Sequence, residues 1–199
     1  MSDRIVLASG SEIRQKLLRN AGIEFDVAPV AVDELEIRNA MVLDGAKPRD
    51  IADALAEHKA RKACRRAPGA LVIGCDQVLD FNGRVLGKPG TPEEARAQMT
   101  SLAGNRHTLL SAAVIYMDDQ PLWRHVGVAK LHMRKPSAAY LDAYIARNWD
   151  SIRHSVGGYK LEEEGVRLFE RVEGDYFTVL GLPLLELLGY LTVRGAISG

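Results

Sequence analysis

The chain has 199 residues, with 47% apolar and 26% charged side chains, enough to bury one substantial core. Its 26 basic and 26 acidic residues cancel, which excludes the strong positive field that holds a long nucleic acid by counterion release. A small phosphorylated ligand needs only a local cluster of cations and stays open.

The opening reads as strand, small-residue turn and helix. Arg4 to Ala8 is a short buried strand, and Ser9-Gly10-Ser11 turns the chain into a helix with Ser11 at the N-cap. Ile13, Leu17, Leu18 and Ala21 recur at helical spacing until Gly22 stops them. Such a turn exposes unpaired backbone N–H groups and the positive end of the helix dipole to an anion, and Arg14 adds a bidentate phosphate donor one turn in. The lysine and glycine spacing of a Walker A loop is absent.

Phe25 to Val30 predicts a second strand leading to the acidic pair Asp33-Glu34. Pro48 to Arg66 predicts a helix rich in alanine, with Ile51, Leu55 and Ala63 on one face and Lys59 at its edge. The apolar run Ala70 to Cys75 suits a central strand and is expected to end at Asp76. A carboxylate at such a strand end can ligate Mg²⁺ or take a proton from water. Gln77 beside it offers a donor and an acceptor, which suits a base edge.

Asn82-Gly83 is a hairpin signal, and Gly87-Lys88-Pro89-Gly90 forms a loop. Thr91-Pro92-Glu93-Glu94 opens a helix to about Ala103. His107 to Tyr116 and Leu122 to His132 predict two strands turned by Asp118-Asp119, followed by a helix from Ser137 to about Arg147. Short strands at Val166 to Arg171 and Phe177 to Leu180 and a helix after Pro183 complete the prediction. No linker divides the chain, so one domain over residues 1–199 is expected.

Cys64 and Cys75 form no metal-binding pattern, and reduced thiols in the cytoplasm are the economical expectation. The apolar stretch Ile5 to Ala8 is too short for a signal segment, and Val179 to Val193 falls short of a membrane span. Triphosphate cleavage needs carboxylates to hold a hard cation, cations to neutralise phosphate oxygens and a base to orient water. Glu34, Lys59, Asp76 and Lys88, with the Ser9 to Arg14 turn, supply those types from separate elements.

In this order the motifs resemble the Maf family of nucleoside triphosphate pyrophosphatases. Leu7-Ala8-Ser9-Gly10-Ser11, with Arg14 and Leu17-Leu18, is similar to the family's opening signature, and Asp33-Glu34 to its acidic pair. Leu55 to Ala60, Gly74-Cys75-Asp76-Gln77-Val78, Gly87-Lys88-Pro89 and Val179 to Leu184 resemble four further family motifs. Glu12 and Ile13 depart from the Pro-Arg of the signature, and Trp149 to Ile152 and Val156 to Tyr159 depart from two later patterns.

The resemblance implies an α/β fold with a long twisted mixed sheet flanked by helices, two lobes with a cleft, and similarity to inosine triphosphate pyrophosphatases. It implies hydrolysis between the α and β phosphates with Mg²⁺, Mn²⁺ or Co²⁺, in a homodimer that acts on a small nucleotide rather than on nucleic acid or membrane. By residue matching, Asp76 is the proton acceptor, and Glu34 shares metal or water positioning with it. Lys59 and Lys88 hold phosphates with Ser9, Ser11 and Arg14. Ile13, Gln77 and Glu162 are the specificity positions, and glutamine after the aspartate resembles the branch that hydrolyses 7-methyl-GTP. The rival expectation, from the family's association with cell division, is a regulatory module that binds a nucleotide without turning it over.

Overall fold

In the computed structural model, which describes residues 3–199, the elements begin with β1 (Ile5–Leu7), α1 (Glu12–Asn20), β2 (Asp26–Val27), α2 (Glu34–Leu43) and α3 (Pro48–Cys64). Then come β3 (Leu71–Phe81), β4 (Arg84–Leu86), α4 (Pro92–Leu102), β5 (Arg106–Met117), β6 (Gln120–Met133) and α5 (Ala138–Ile152). Two 3₁₀ turns, Val156–Gly158 and Glu164–Leu168, lead to β7 (Phe169–Glu173), α6 (Tyr176–Val179) and α7 (Leu184–Arg194). Residues 1 and 2 of the expected domain lie outside the described region.

The strands form one mixed seven-stranded sheet in the order β2-β1-β3-β5-β6-β7, with β4 paired to β3. β2, β1 and β3 run parallel, and the remaining pairs are antiparallel. Alternation along the strands divides the core between the two faces. On one face, Val72, Ala112 and Val114 pack under α3; on the other, Ile73, Ala113 and Ile115 meet the core of α1, α4, α5 and α7. The two hairpin turns behave as read: Asn82 and Gly83, and Asp118 and Asp119, all have positive φ, the geometry that suits the sheet's twist. Among the described residues no helix is long and apolar enough to cross a membrane.

Four local expectations need correction. β3 runs on through Asp76 to Phe81, so Asp76 is buried in mid-strand; pairing of its carboxylate with a lysine of α3 makes that position tolerable. The strand expected at Phe25 to Val30 shrinks to Asp26–Val27. Phe177 to Leu180 is a helical turn because the Asp175 carboxylate accepts the Thr178 N–H at 2.8 Å and starts one. Glu164–Leu168 takes the 3₁₀ form, and the strand begins only at Phe169. Helix α2 was not foreseen: it buries no residue fully and packs the half-buried Ile37 and Met41 against the core under α3, while Asp33 caps it by accepting from Glu36 N–H at 2.9 Å.

Gly74 sets the approach of α3 to the sheet. A Cβ there would lie 2.2 Å from the Ala56 carbonyl oxygen and 2.6 Å from Ala60 N, both backbone atoms that cannot step aside. Gly74→Ala is therefore expected to push α3 off β3 and cost about 1–3 kcal/mol or more. Denaturant unfolding measures the loss.

His107 is almost fully buried, with Nε2 2.6 Å from the Tyr159 hydroxyl and no partner for Nδ1. Burial, helped by His132, pushes its pKa down to about 4. A histidine with a lowered folded-state pKa contributes stability that is complete above about pH 6.5 and is lost as pH falls towards 4, about 3 kcal/mol in all. His107→Gln is expected to shrink the difference between urea midpoints at pH 7 and pH 4.5; an unchanged difference would place the acid sensitivity elsewhere.

Candidate active site

The site forms where an edge of β3 is left open. β1 pairs with Leu71–Ile73 and β4 with Leu79–Phe81, so no strand covers that edge over residues 74–78. A cleft of about 750 Å³ occupies the gap, within the range of small-ligand sites. All ten residues expected at the site line it: Ser9, Ser11, Ile13, Arg14, Glu34, Lys59, Asp76, Gln77, Lys88 and Glu162.

At its floor, Lys59 Nζ lies 2.6 Å from Asp76 Oδ1 and 2.6 Å from Glu34 Oε1. Lys59 comes from α3, Asp76 from β3 and Glu34 from the first turn of α2, so three elements must be packed before the triad exists. Burial pushes the Asp76 carboxyl above its ordinary range, against the pull of Lys59 and Arg14, and Glu34 adds to the rise. Burial also pushes Glu34 up, but Lys59, Lys88 and Arg14 outweigh it and leave that carboxyl below its usual range.

Arg14 is held, not solvated. Its Nε donates to the Gly181 carbonyl at 2.7 Å, and Nη1 donates to the Cys75 carbonyl at 3.2 Å and to Ser9 Oγ at 3.3 Å. The Nη2 donors stay uncommitted. Ser11 stands at the N-cap of α1, but its side chain does not cap the helix; its own N–H donates to Ser9 Oγ at 3.3 Å. The N–H groups of the first turn of α1 thus line the cleft as an anion seat beside Arg14.

Gln77 faces the opposite side of β3 from Asp76. Its amide nitrogen donates to Ser111 Oγ at 3.0 Å and to the carbonyls of Val179 at 3.0 Å and Thr178 at 3.3 Å. Those acceptors fix the orientation of the amide, so Oε1 is the end left to accept from a ligand. Ile13, Leu109, Val156, Leu161 and Glu162 also line the cleft. Cys75 is buried, and burial pushes its thiol up to about 11, so it behaves as an inert core residue.

Sequence reasoning missed Arg38, His154, Tyr159 and Lys160, which also line the cleft. The Asp33 to Glu36 capping pattern was the signal that α2, and with it Arg38, lay there.

Among the described residues no cluster of three or more His, Cys, Asp or Glu has metal-binding spacing. The donor set nevertheless suits a hard cation. Asp76 and Glu34 share the single cation Lys59, and no protein donor among the described residues reaches Asp76 Oδ2 or Glu34 Oε2. Mg²⁺ is commonly held by one or two carboxylates with phosphate oxygens and waters, and these two oxygens supply that share.

Comparison with known proteins places the chain in company. The family described as Maf-like protein matches residues 4–193. A nucleoside triphosphate pyrophosphatase of Ruegeria pomeroyi is 59% identical over 198 residues, covering 100% of both chains. One of the same name from Caulobacter vibrioides is 49% identical, covering 98% of this chain and 97% of its own. A 7-methyl-GTP pyrophosphatase of Mesorhizobium japonicum is 45% identical over 199 residues, covering 100% of both. A solved HAM1 protein from Coxiella burnetii matches with a TM-score of 0.42 and 21% identity, over 67% of this chain and 74% of that one.

Proposed function

The chain belongs to the Maf-like protein family, and from that premise we propose that it hydrolyses a nucleoside triphosphate between the α and β phosphates, releasing a monophosphate and pyrophosphate. The observation that supports this most is the Asp76–Lys59–Glu34 triad beside the N-terminus of α1. A site built only to hold a nucleotide has no use for a buried carboxylate with a free oxygen.

Asp76 accepts the proton of the attacking water through its carboxylate, of which Lys59 engages only Oδ1. Lys59 holds Asp76 and Glu34 in register and favours the ionised form of Asp76 against the effect of its burial. Ser9, Ser11, Arg14 and the first-turn N–H groups of α1 take phosphate oxygens on one side, and Lys88 on the other. A divalent cation such as Mg²⁺, bound by Asp76 and Glu34, would neutralise phosphate charge as the anhydride bond breaks.

Gln77 Oε1 and the Glu162 carboxylate, both on the cleft lining, are acceptors, and a guanine presents N–H donors along its Watson–Crick edge. We read the preferred base as guanine, with 7-methyl-GTP as the leading substrate, whose extra positive charge favours a carboxylate. The protein is read as one domain over residues 1–199. It works as a homodimer in the cytoplasm and acts on neither nucleic acid nor membrane. Unpaired Cys64 and Cys75 and the zero net charge support that setting.

The test compares kcat/KM for 7-methyl-GTP, GTP, dTTP, UTP and CTP with Mg²⁺, in wild type and in Glu162→Gln. Preference for the guanine nucleotides that flattens in the variant supports the reading. Preference for a pyrimidine overturns the base assignment.

A further inference from the structure

Among the described residues only two arginines are not exposed, Arg14 and Arg38, and both line the cleft. Their commitments differ. Arg14 donates to two backbone carbonyls and to Ser9, whereas among the described residues Arg38 meets no carboxylate and donates to no acceptor. A guanidinium withdrawn from water without a partner is costly, and a half-buried one at a cleft calls for an anion.

Its position is defined from two directions. Glu34 and Arg38 stand four residues apart on α2 and so share one face of the helix. Glu34 grips Lys59 and, through it, Asp76, so Arg38 lies one helical turn, about 5–6 Å, further along the wall from the reacting carboxylates. From the opposite wall, Gly87 receives the guanidinium: a Cβ there would stand 2.4 Å from Arg38 Nη1, 3.2 Å from Cζ and 3.3 Å from Nη2. All three atoms crowd that one point, so only glycine lets the guanidinium sit against the loop. Lys88 follows directly, so the loop that receives Arg38 carries a second cleft-lining cation at the next residue.

We propose that Arg38, paired with Lys88, grips the β and γ phosphates that leave as pyrophosphate and so sets the preference for triphosphates over shorter nucleotides. This rests on the pyrophosphatase reading above. The fork of Arg38 makes two parallel hydrogen bonds to a terminal phosphate, a geometry that lysine cannot copy.

Calorimetry with Mg²⁺ tests it, using inorganic pyrophosphate and, separately, GMP as probes against wild type, Arg38→Ala, Arg38→Gln and Arg38→Lys. Arg38→Ala and Arg38→Gln are expected to weaken pyrophosphate binding about tenfold or more, with GMP binding changed less than about twofold and Arg38→Lys intermediate. Because α2 buries no residue, these variants should melt close to wild type, and Arg38→Gln keeps the side chain's bulk over Gly87. Unchanged pyrophosphate binding, or equal weakening of both probes, overturns the proposal. Wild-type turnover of GTP in the same preparation reports on the pyrophosphatase reading itself, so its failure is told apart from a failure of Arg38.

Discussion

Asp76→Asn lowers kcat about 10²–10⁴-fold, the span that a positioned general base contributes. The substitution keeps the shape of the side chain, and Lys59 can still reach the amide oxygen and Glu34. What disappears is the oxygen that takes the proton, together with one charge at the floor of the cleft. Because burial already works against the Asp76 charge, neutralising it relieves part of that cost. Rapid-quench kinetics and a melting curve check the two halves: turnover collapses while the melting temperature stays within a few degrees. A variant that keeps its rate would remove Asp76 from the chemistry.

Lys59→Met has the largest expected effect on the fold. The methionine fills most of the lysine's volume under α3 but leaves Asp76 buried without its hydrogen-bonded cation and Glu34 without its 2.6 Å partner. Breaking a buried pair from one side costs about 3–5 kcal/mol. The pH dependence follows from the sign of the Asp76 shift. Without Lys59, the folded-state pKa of Asp76 rises further above its unfolded value, so the folded state binds the extra proton and the deficit shrinks as pH falls. Urea titrations at pH 5 and pH 8 check this: the gap between variant and wild type should be wider at pH 8. Activity is lost at both values, since the cation that favours the Asp76 carboxylate and holds Glu34 in place is gone.

What was legible in the sequence is what local chemistry controls. Helix α1 follows its turn because Leu17 and Leu18 recur at helical spacing, α3 begins at a proline suited to a first turn, and the Asn82-Gly83 turn adopts the positive φ its residues favour. The site residues were legible as types that triphosphate chemistry requires, and the cleft gathers all ten. Non-local partners hid the rest. The strand through Asp76 depends on a lysine 17 residues earlier, and the bond that fixes Arg14 ends on Gly181, 167 residues away. Helix α2 packs the half-buried Ile37 and Met41 against the core and buries no residue fully, so the Asp33 to Glu36 capping pattern was its clearest sequence signal, and nothing local placed Arg38 in the cleft.

The central claim is that this cleft breaks the bond between the α and β phosphates with Asp76 as the base. It is tested most directly by resolving the products of GTP and 7-methyl-GTP with Mg²⁺, for wild type beside Asp76→Asn. The account predicts one pyrophosphate for each nucleoside monophosphate from wild type and almost none from the variant. Release of orthophosphate and a nucleoside diphosphate, or equal turnover by the two proteins, would contradict it.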